Sequence, residues 1–276
     1  MKGLLASIVF SGISLFSMAQ SNGLEGIIVE KYYISSKQDS EAPNLTGKLA
    51  PGSVTYRVFV DLLPGHRFSM AYGSSTHPLF FKTNTYFYNH LENGSTVAST
   101  VIKRKLSKNT LMLDSWLSVG TAAEGSLGIL KSDDDTLENT PRPNQFLINA
   151  DKKAGEPLTV KDGLKASEYM PNHTFFGIDT AVQVFNQNSE DNLFYTENGA
   201  WACMGLGAVG PDSLSTNRVL IAQVTTDGLF EFELNILTVG PDRKTQRFVA
   251  RNPEGEEILL ESLIYTSSKK RKNKNK

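Results

Sequence analysis

The sequence predicts an all-β fold of the antiparallel β-sandwich or jelly-roll type. Three observations carry this. Apolar and polar residues alternate with period two in several runs, as on a pleated strand whose successive side chains point to opposite faces. Pairs such as Pro51-Gly52, Pro64-Gly65, Asn93-Gly94, Asn198-Gly199 and Asp227-Gly228 punctuate those runs at short intervals. No window longer than about ten residues keeps a helical apolar period.

The elements follow in chain order. Gly26–Ser35 is the first expected strand. Ser53–Asp61 places Val54, Tyr56, Val58 and Val60 on one face and Thr55, Arg57, Phe59 and Asp61 on the other. His66–Tyr72, Leu79–Tyr88 and Thr110–Val119 are rich enough in aromatic and aliphatic residues to continue the pattern. Residues 132–162 are polar and rich in Asp, Asn and Pro, and read as a loop region between a front and a back half. The halves share one core or form two packed sub-domains. Lys161–Met170 is read as one short helix. Thr174–Gly177, Ala181–Phe185 and Leu193–Tyr195 resume the strands. Arg218–Thr226 and Leu229–Ile236 are expected to form a hairpin, because Asp227-Gly228 suits the positive φ angles of a tight turn. Phe230, Phe232, Leu234 and Ile236 then face the core, and Glu231, Glu233 and Asn235 face water. Arg247–Arg251 and Glu257–Tyr265 complete the set.

The chain starts with Lys2, an apolar run from Leu4 to Phe16, and Ser17-Met18-Ala19. Small residues three positions and one position before Gln20 suit a signal peptidase, so residues 1–19 read as a secretory signal. The run is too short to span a bilayer, which takes about 20 apolar residues. The expected address is extracytoplasmic, with a β region over residues 20–266 and a disordered basic tail over 267–276. Cys203 is the single cysteine, so there is no internal disulfide. Its neighbours Trp201, Ala202 and Met204 predict a buried small hydrophobe. Hydrophobic content of 39% and charged content of 21% are those of a globular chain. Of 28 Lys and Arg, six lie in Lys269–Lys276 and one in the signal, which leaves the body 21 against 29 acidic residues. That balance of −8 argues against a nucleic-acid surface on the folded part. The tail is suited to polyanions or is simply solvated.

Four segments carry a resemblance. They are Asn22–Tyr33, Gly52–Asp61, Met112–Gly120 and Val219–Gly228. Their sequences and order resemble a group of secreted all-β proteins of Bacteroidota. Members of that group often end in a sorting domain for the type IX secretion system; here a short basic tail follows Tyr265. The resemblance implies export and a lineage. It implies no activity and no site residues.

Candidate chemistry is sparse. Asp133, Asp134 and Asp135, with Glu138 close by, form the densest oxygen cluster and could bind calcium weakly or be a solvated acidic loop. Glu190-Asp191-Asn192 is a second, smaller cluster. His66, His77, His90 and His173 show no close pair of the kind zinc uses, and the first three, each following turn-like residues, are expected to face water. No Gly-x-Ser-x-Gly elbow exists. Gly205-Leu206-Gly207-Ala208-Val209-Gly210 fits a phosphate loop by spacing, but Pro211 follows it where a helix should begin. Glu231 and Glu233 are the carboxylates available for glycoside hydrolysis, and also the solvent side of the expected hairpin. Aromatic residues in strands give the binding hint, with Tyr86, Tyr88 and Trp116 as candidates for an exposed row that stacks on sugars. Three functions follow: a secreted, non-enzymatic binding or cell-surface protein with a glycan as ligand; a secreted glycan hydrolase using a carboxylate pair; or an extracellular structural component. No cofactor is expected beyond the weak calcium.

Overall fold

The computed structural model describes residues 22–41, 48–107, 110–134, 162–186 and 189–267. Residues 1–19, Asp135, Glu138 and the basic tail lie outside them. The front half supplies β1 (Leu24–Ile34), β2 (Val54–Leu62), β3 (Arg67–Tyr72), β4 (Leu79–Thr83), β5 (Trp116–Leu117), β6 (Thr121–Ala123) and β7 (Ser126–Gly128). Next come β8 (Leu164–Ala166), β9 (His173–Phe176), β10 (Leu193–Thr196), β11 (Ala200–Cys203) and β12 (Asn217–Thr226). The chain closes with β13 (Phe230–Glu233), β14 (Ile236–Val239), β15 (Thr245–Val249), β16 (Ile258–Leu259) and β17 (Ile264–Thr266). The fold is all-β, as the period-two pattern predicts.

The strands form four sheets. A central sheet runs β1-β2-β12-β5, an aromatic sheet β10-β4-β13-β17, a long sheet β16-β15-β14-β3-β11-β9, and a small sheet β6-β7-β8. All ladders are antiparallel except β15 with β16. Every sheet contains strands from both before and after residues 132–162, so the two halves are interleaved.

The central sheet is covered on both faces. On one, Tyr56, Val58, Val60, Val219 and Val224 join Phe81, Phe194, Phe230 and Phe232 of the aromatic sheet and Phe68, Trp201 and Phe248 of the long sheet in one apolar cluster. On the other, Tyr32, Tyr33, Phe59 and Leu220 pack beneath Tyr88, Val101, Leu111, Leu113, Trp116 and Leu130. Thr55, Arg57 and Phe59, which alternation assigns to the polar face of β2, are therefore as buried as the apolar face.

Several expectations are corrected. Arg218–Thr226 and Leu229–Ile236 do not pair. β12 lies between β2 and β5 in the central sheet, and β13 lies between β4 and β17 in the aromatic sheet. Asp227-Gly228 turns a corner from one sheet to the next. Gly228 is not held in the left-handed region; it is required because a Cβ would come within about 2.5 Å of side-chain oxygens of Thr83, Asn84 and Thr85. The hydroxyl of Thr226, 2.8 Å from Thr83 Oγ1 and 2.9 Å from Thr85 Oγ1, also accepts from the Gly228 N–H and pins the corner. Leu229–Ile236 itself splits at Asn235, where the chain moves on to the long sheet. Asn235 is buried rather than solvated, because its Nδ2 donates to the carbonyls of Tyr72 and His77. Phe230, Phe232, Leu234 and Ile236 do face the core.

Ala181–Phe185 forms a 3-10 turn that buries Val182, Val184 and Phe185, and Leu111–Leu113 does the same inside the expected strand Thr110–Val119. Lys161–Met170 contains strand β8 instead of a helix. Short apolar runs specify burial without specifying the backbone period that achieves it.

Candidate functional site

The expected exposed row does not form. Tyr88 is 1% exposed, with its hydroxyl 2.6 Å from Thr110 Oγ1, and Trp116 is 2% exposed in the second cluster. Only Tyr86 is half-buried. β4 ends at Thr83, so Tyr86 to Tyr88 are not on a strand and do not alternate in exposure.

Asp133 and Asp134 turn to different partners. Asp133 accepts from Arg218 Nη1 at 2.7 Å, and Asp134, buried, accepts from the Gly163 N–H at 2.7 Å. Among the described residues no group of three or more His, Cys, Asp or Glu side chains converges as a metal site. Glu190 pairs with Lys48 at 2.6 Å and Asp191 accepts from Ser189. His77 and His90 are buried rather than solvated, with His77 Nε2 2.9 Å from Glu257. That approach is outside hydrogen-bonding geometry, since Nε2 remains without a hydrogen bond. Cys203 is buried, and desolvation raises its thiol.

The outer face of the aromatic sheet holds what sequence reading missed. Along β10, Leu193 and Tyr195 are exposed while Phe194 and Thr196 are buried. β4 buries Phe81 and turns Phe80 and Lys82 outward; β13 buries Phe230 and Phe232 and turns Glu231 and Glu233 outward. The register sets these side chains in two rows. Tyr195 lies opposite Phe80, which lies opposite Glu233; Leu193 lies opposite Lys82, which lies opposite Glu231. At about 4.8 Å between strands and roughly 7 Å between alternate residues, the patch measures roughly 10 by 7 Å. Tyr195 is 44% exposed and its hydroxyl donates to Glu197 at 3.1 Å, a bond that raises the phenol. Glu233 accepts from Arg251 Nε at 2.9 Å. Across β10, β4 and β13 the face offers two aromatic rings, one aliphatic chain and the charged groups of Lys82, Glu231 and Glu233; Ile264 and Thr266 of β17 continue the two rows. The all-apolar triplet Leu193-Phe194-Tyr195 does not say in sequence which side is outer.

A second constellation lies under cover. Glu30, Arg57, Gln223 and Trp116 occupy one register line across β1, β2, β12 and β5. The Arg57 guanidinium stacks 3.5 Å from the centre of the Tyr32 ring, donates from Nε to Gln223 Oε1 at 2.8 Å, and from Nη1 to the Gly163 carbonyl at 2.9 Å. The Tyr32 hydroxyl donates to the Asp162 carbonyl at 2.7 Å. Burial raises the carboxyl of Glu30, opposed by the charge of Arg57. Nearby, Asp114 is fully buried and pushed up to about 8 by desolvation, against backbone N–H bonds from His90, Ser95 and Ser115 that pull it down.

No family model, no curated protein and no solved structure matches this chain.

Proposed function

We propose that this chain is an exported, non-enzymatic binding protein whose ligand is a glycan, held on the outer face of the aromatic sheet. The observation that carries the reading is Tyr195 set directly opposite Phe80 on an outward sheet face, with Leu193 beside them and Lys82, Glu231 and Glu233 next to them on β4 and β13. Aromatic rings present rigid apolar area to the C–H face of a pyranose. Carboxylates accept from its hydroxyls, and an ammonium donates to its oxygens. The patch is the footprint of a sugar residue. Hydrolysis needs two carboxyl groups facing each other across the scissile bond, about 5–10 Å apart. Glu231 and Glu233 instead point the same way from one strand, and Glu233 is held by Arg251. This favours binding over cleavage. The export half of the reading rests on residues 1–19 and is checked by mass spectrometry of the secreted protein, with a mature start at Gln20 as the expected result.

A glycan array probed with the mature protein, followed by calorimetry on the best ligand, tests the binding half. Tyr195→Ala is expected to weaken that ligand at least tenfold while leaving the fold intact. Unchanged affinity in Tyr195→Ala, or release of shortened sugar from the ligand, overturns it.

A further inference from the structure

Beside the Arg57 register line lies a recess that admits about one water-sized body. Its polar walls are Arg57, Gln223 and Trp116; the rest, including Val101, Leu111 and Met112, are apolar. Gln223 has no donor left. Its Oε1 accepts from Arg57, and its Nε2 donates to the carbonyls of Met112 and Asp114 at 3.0 and 2.7 Å. Arg57 spends Nε and Nη1 on neutral acceptors, and among the described residues its Nη2 meets none. The indole N–H of Trp116 likewise meets no acceptor among them. The recess therefore presents two unmet donors against the one remaining lone pair of Gln223 Oε1. Water placed there could accept two hydrogen bonds but donate only one of its two protons, to that lone pair. An anion only accepts.

The charge points the same way. Arg57 is 2% exposed, and among the described residues no carboxylate comes within 4.0 Å of its guanidinium. Buried charges are as a rule paired. Glu30, its cross-strand neighbour, acts on it only at longer range, and one Glu30 oxygen is occupied by the Lys131 N–H at 2.7 Å. Size then selects the ion. Room for one water-sized body suits a monatomic anion and not the three heavy atoms of a carboxylate.

We propose that this recess binds one halide ion, chloride in a natural setting, with Arg57 Nη2 and Trp116 Nε1 as its donors. The test is thermal unfolding of the mature protein at constant ionic strength, with sodium chloride exchanged for sodium gluconate. Parallel series use bromide, sulfate and formate. A saturable rise in Tm with chloride and bromide, and none with sulfate or formate, is expected. Trp116→Phe keeps most of the ring area and removes the N–H; it should weaken the apparent chloride affinity about tenfold, the worth of one hydrogen bond to a charge. Bromide soaked into crystals of the unsubstituted protein should give an anomalous peak within hydrogen-bond distance of both donors, which decides the matter even if Trp116→Phe fails to fold. Equal Tm in chloride and gluconate, or a bromide-soaked crystal with no peak in the recess, overturns the proposal. A formate response matching that of chloride overturns the halide assignment.

Discussion

Along one face of β2 and β12, Tyr56, Val58, Val60 and Val224 pack into the large apolar cluster; along the other, Thr55, Arg57, Gln223 and Thr225 are equally buried but joined in hydrogen-bonded pairs. Thr225 Oγ1 donates to Thr55 Oγ1 at 2.7 Å, and Arg57 and Gln223 are joined at the next rung. Period-two alternation reports a difference in chemistry between two faces. It does not report which face is wet. On this sheet the apolar face is held by burial of carbon, which tolerates repacking. The polar face is held by directional bonds, where a missing partner leaves a desolvated group behind.

The largest expected effect breaks that equivalence if it is wrong. Arg57→Ala removes the donors of Gly163 O and Gln223 Oε1 and the stack on Tyr32. Two buried acceptors left bare cost about 1–3 kcal/mol each, so about 3–5 kcal/mol is expected in chemical denaturation. Val58→Ala, one residue on and facing the apolar cluster, should cost about 2 kcal/mol. Were the polar face open to water, Arg57→Ala would cost no more than about 0.5 kcal/mol, the usual scale for surface positions.

A pH series sharpens the comparison from the layer that covers the polar face. Asp114 carries a folded-state value of about 8, above its ordinary 3.8. Between those values the folded protein holds a proton that the unfolded chain has released. Its contribution to stability is therefore full below about pH 4 and is lost as pH rises to about 8. Asp114→Asn should flatten that part of the stability curve. A slope that survives in the variant, or a curve that rises over this window because of Asp114, would assign the pH dependence elsewhere.

Next in size is the threonine rung. Thr225→Val alone leaves Thr55 Oγ1 without its donor and should cost about 1–2 kcal/mol. The double variant Thr55→Val with Thr225→Val removes both partners at constant shape and should recover most of that loss. A double variant as unstable as the sum of the two singles would mean that each hydroxyl serves a different partner.

Much of this architecture is legible in the chain, and the limits have physical causes. Ser53–Asp61 is a strand because Tyr56, Val58 and Val60 repeat at period two. That its other face is also covered depends on residues 88–107 and 110–130, which reach it through 3-10 turns, loops and strands of two or three residues, too short to show a period. Leu229–Ile236 shows its apolar face correctly, yet Asp227-Gly228 is a corner, because pairing partners come from distant segments such as β4 and β17. The site followed the same pattern. Trp116 stands out by residue type and is interior; Tyr195 and Phe80 are brought together only by the register of β10 on β4.

The aromatic sheet supplies the contrast that the central sheet lacks, since one of its faces is open. Phe194 and Tyr195 are consecutive on β10, with exposures of 0% and 44%. Phe194→Ala would open a cavity beside Phe81, Phe185 and Trp201, whose ring centres lie 5.7–6.1 Å away. Loss of about 3–5 kcal/mol is expected there. Tyr195→Ala removes an outward ring and one exposed hydrogen bond to Glu197, so its cost should stay within about 0.5 kcal/mol. Melting curves of the two variants measure the difference directly. A large loss in Tyr195→Ala would show that the ring is part of the packing. A near-neutral result is what a residue kept on the surface for something other than stability would give: a strand that can have a Thr or Lys facing water at no cost carries Leu193 and Tyr195 there instead.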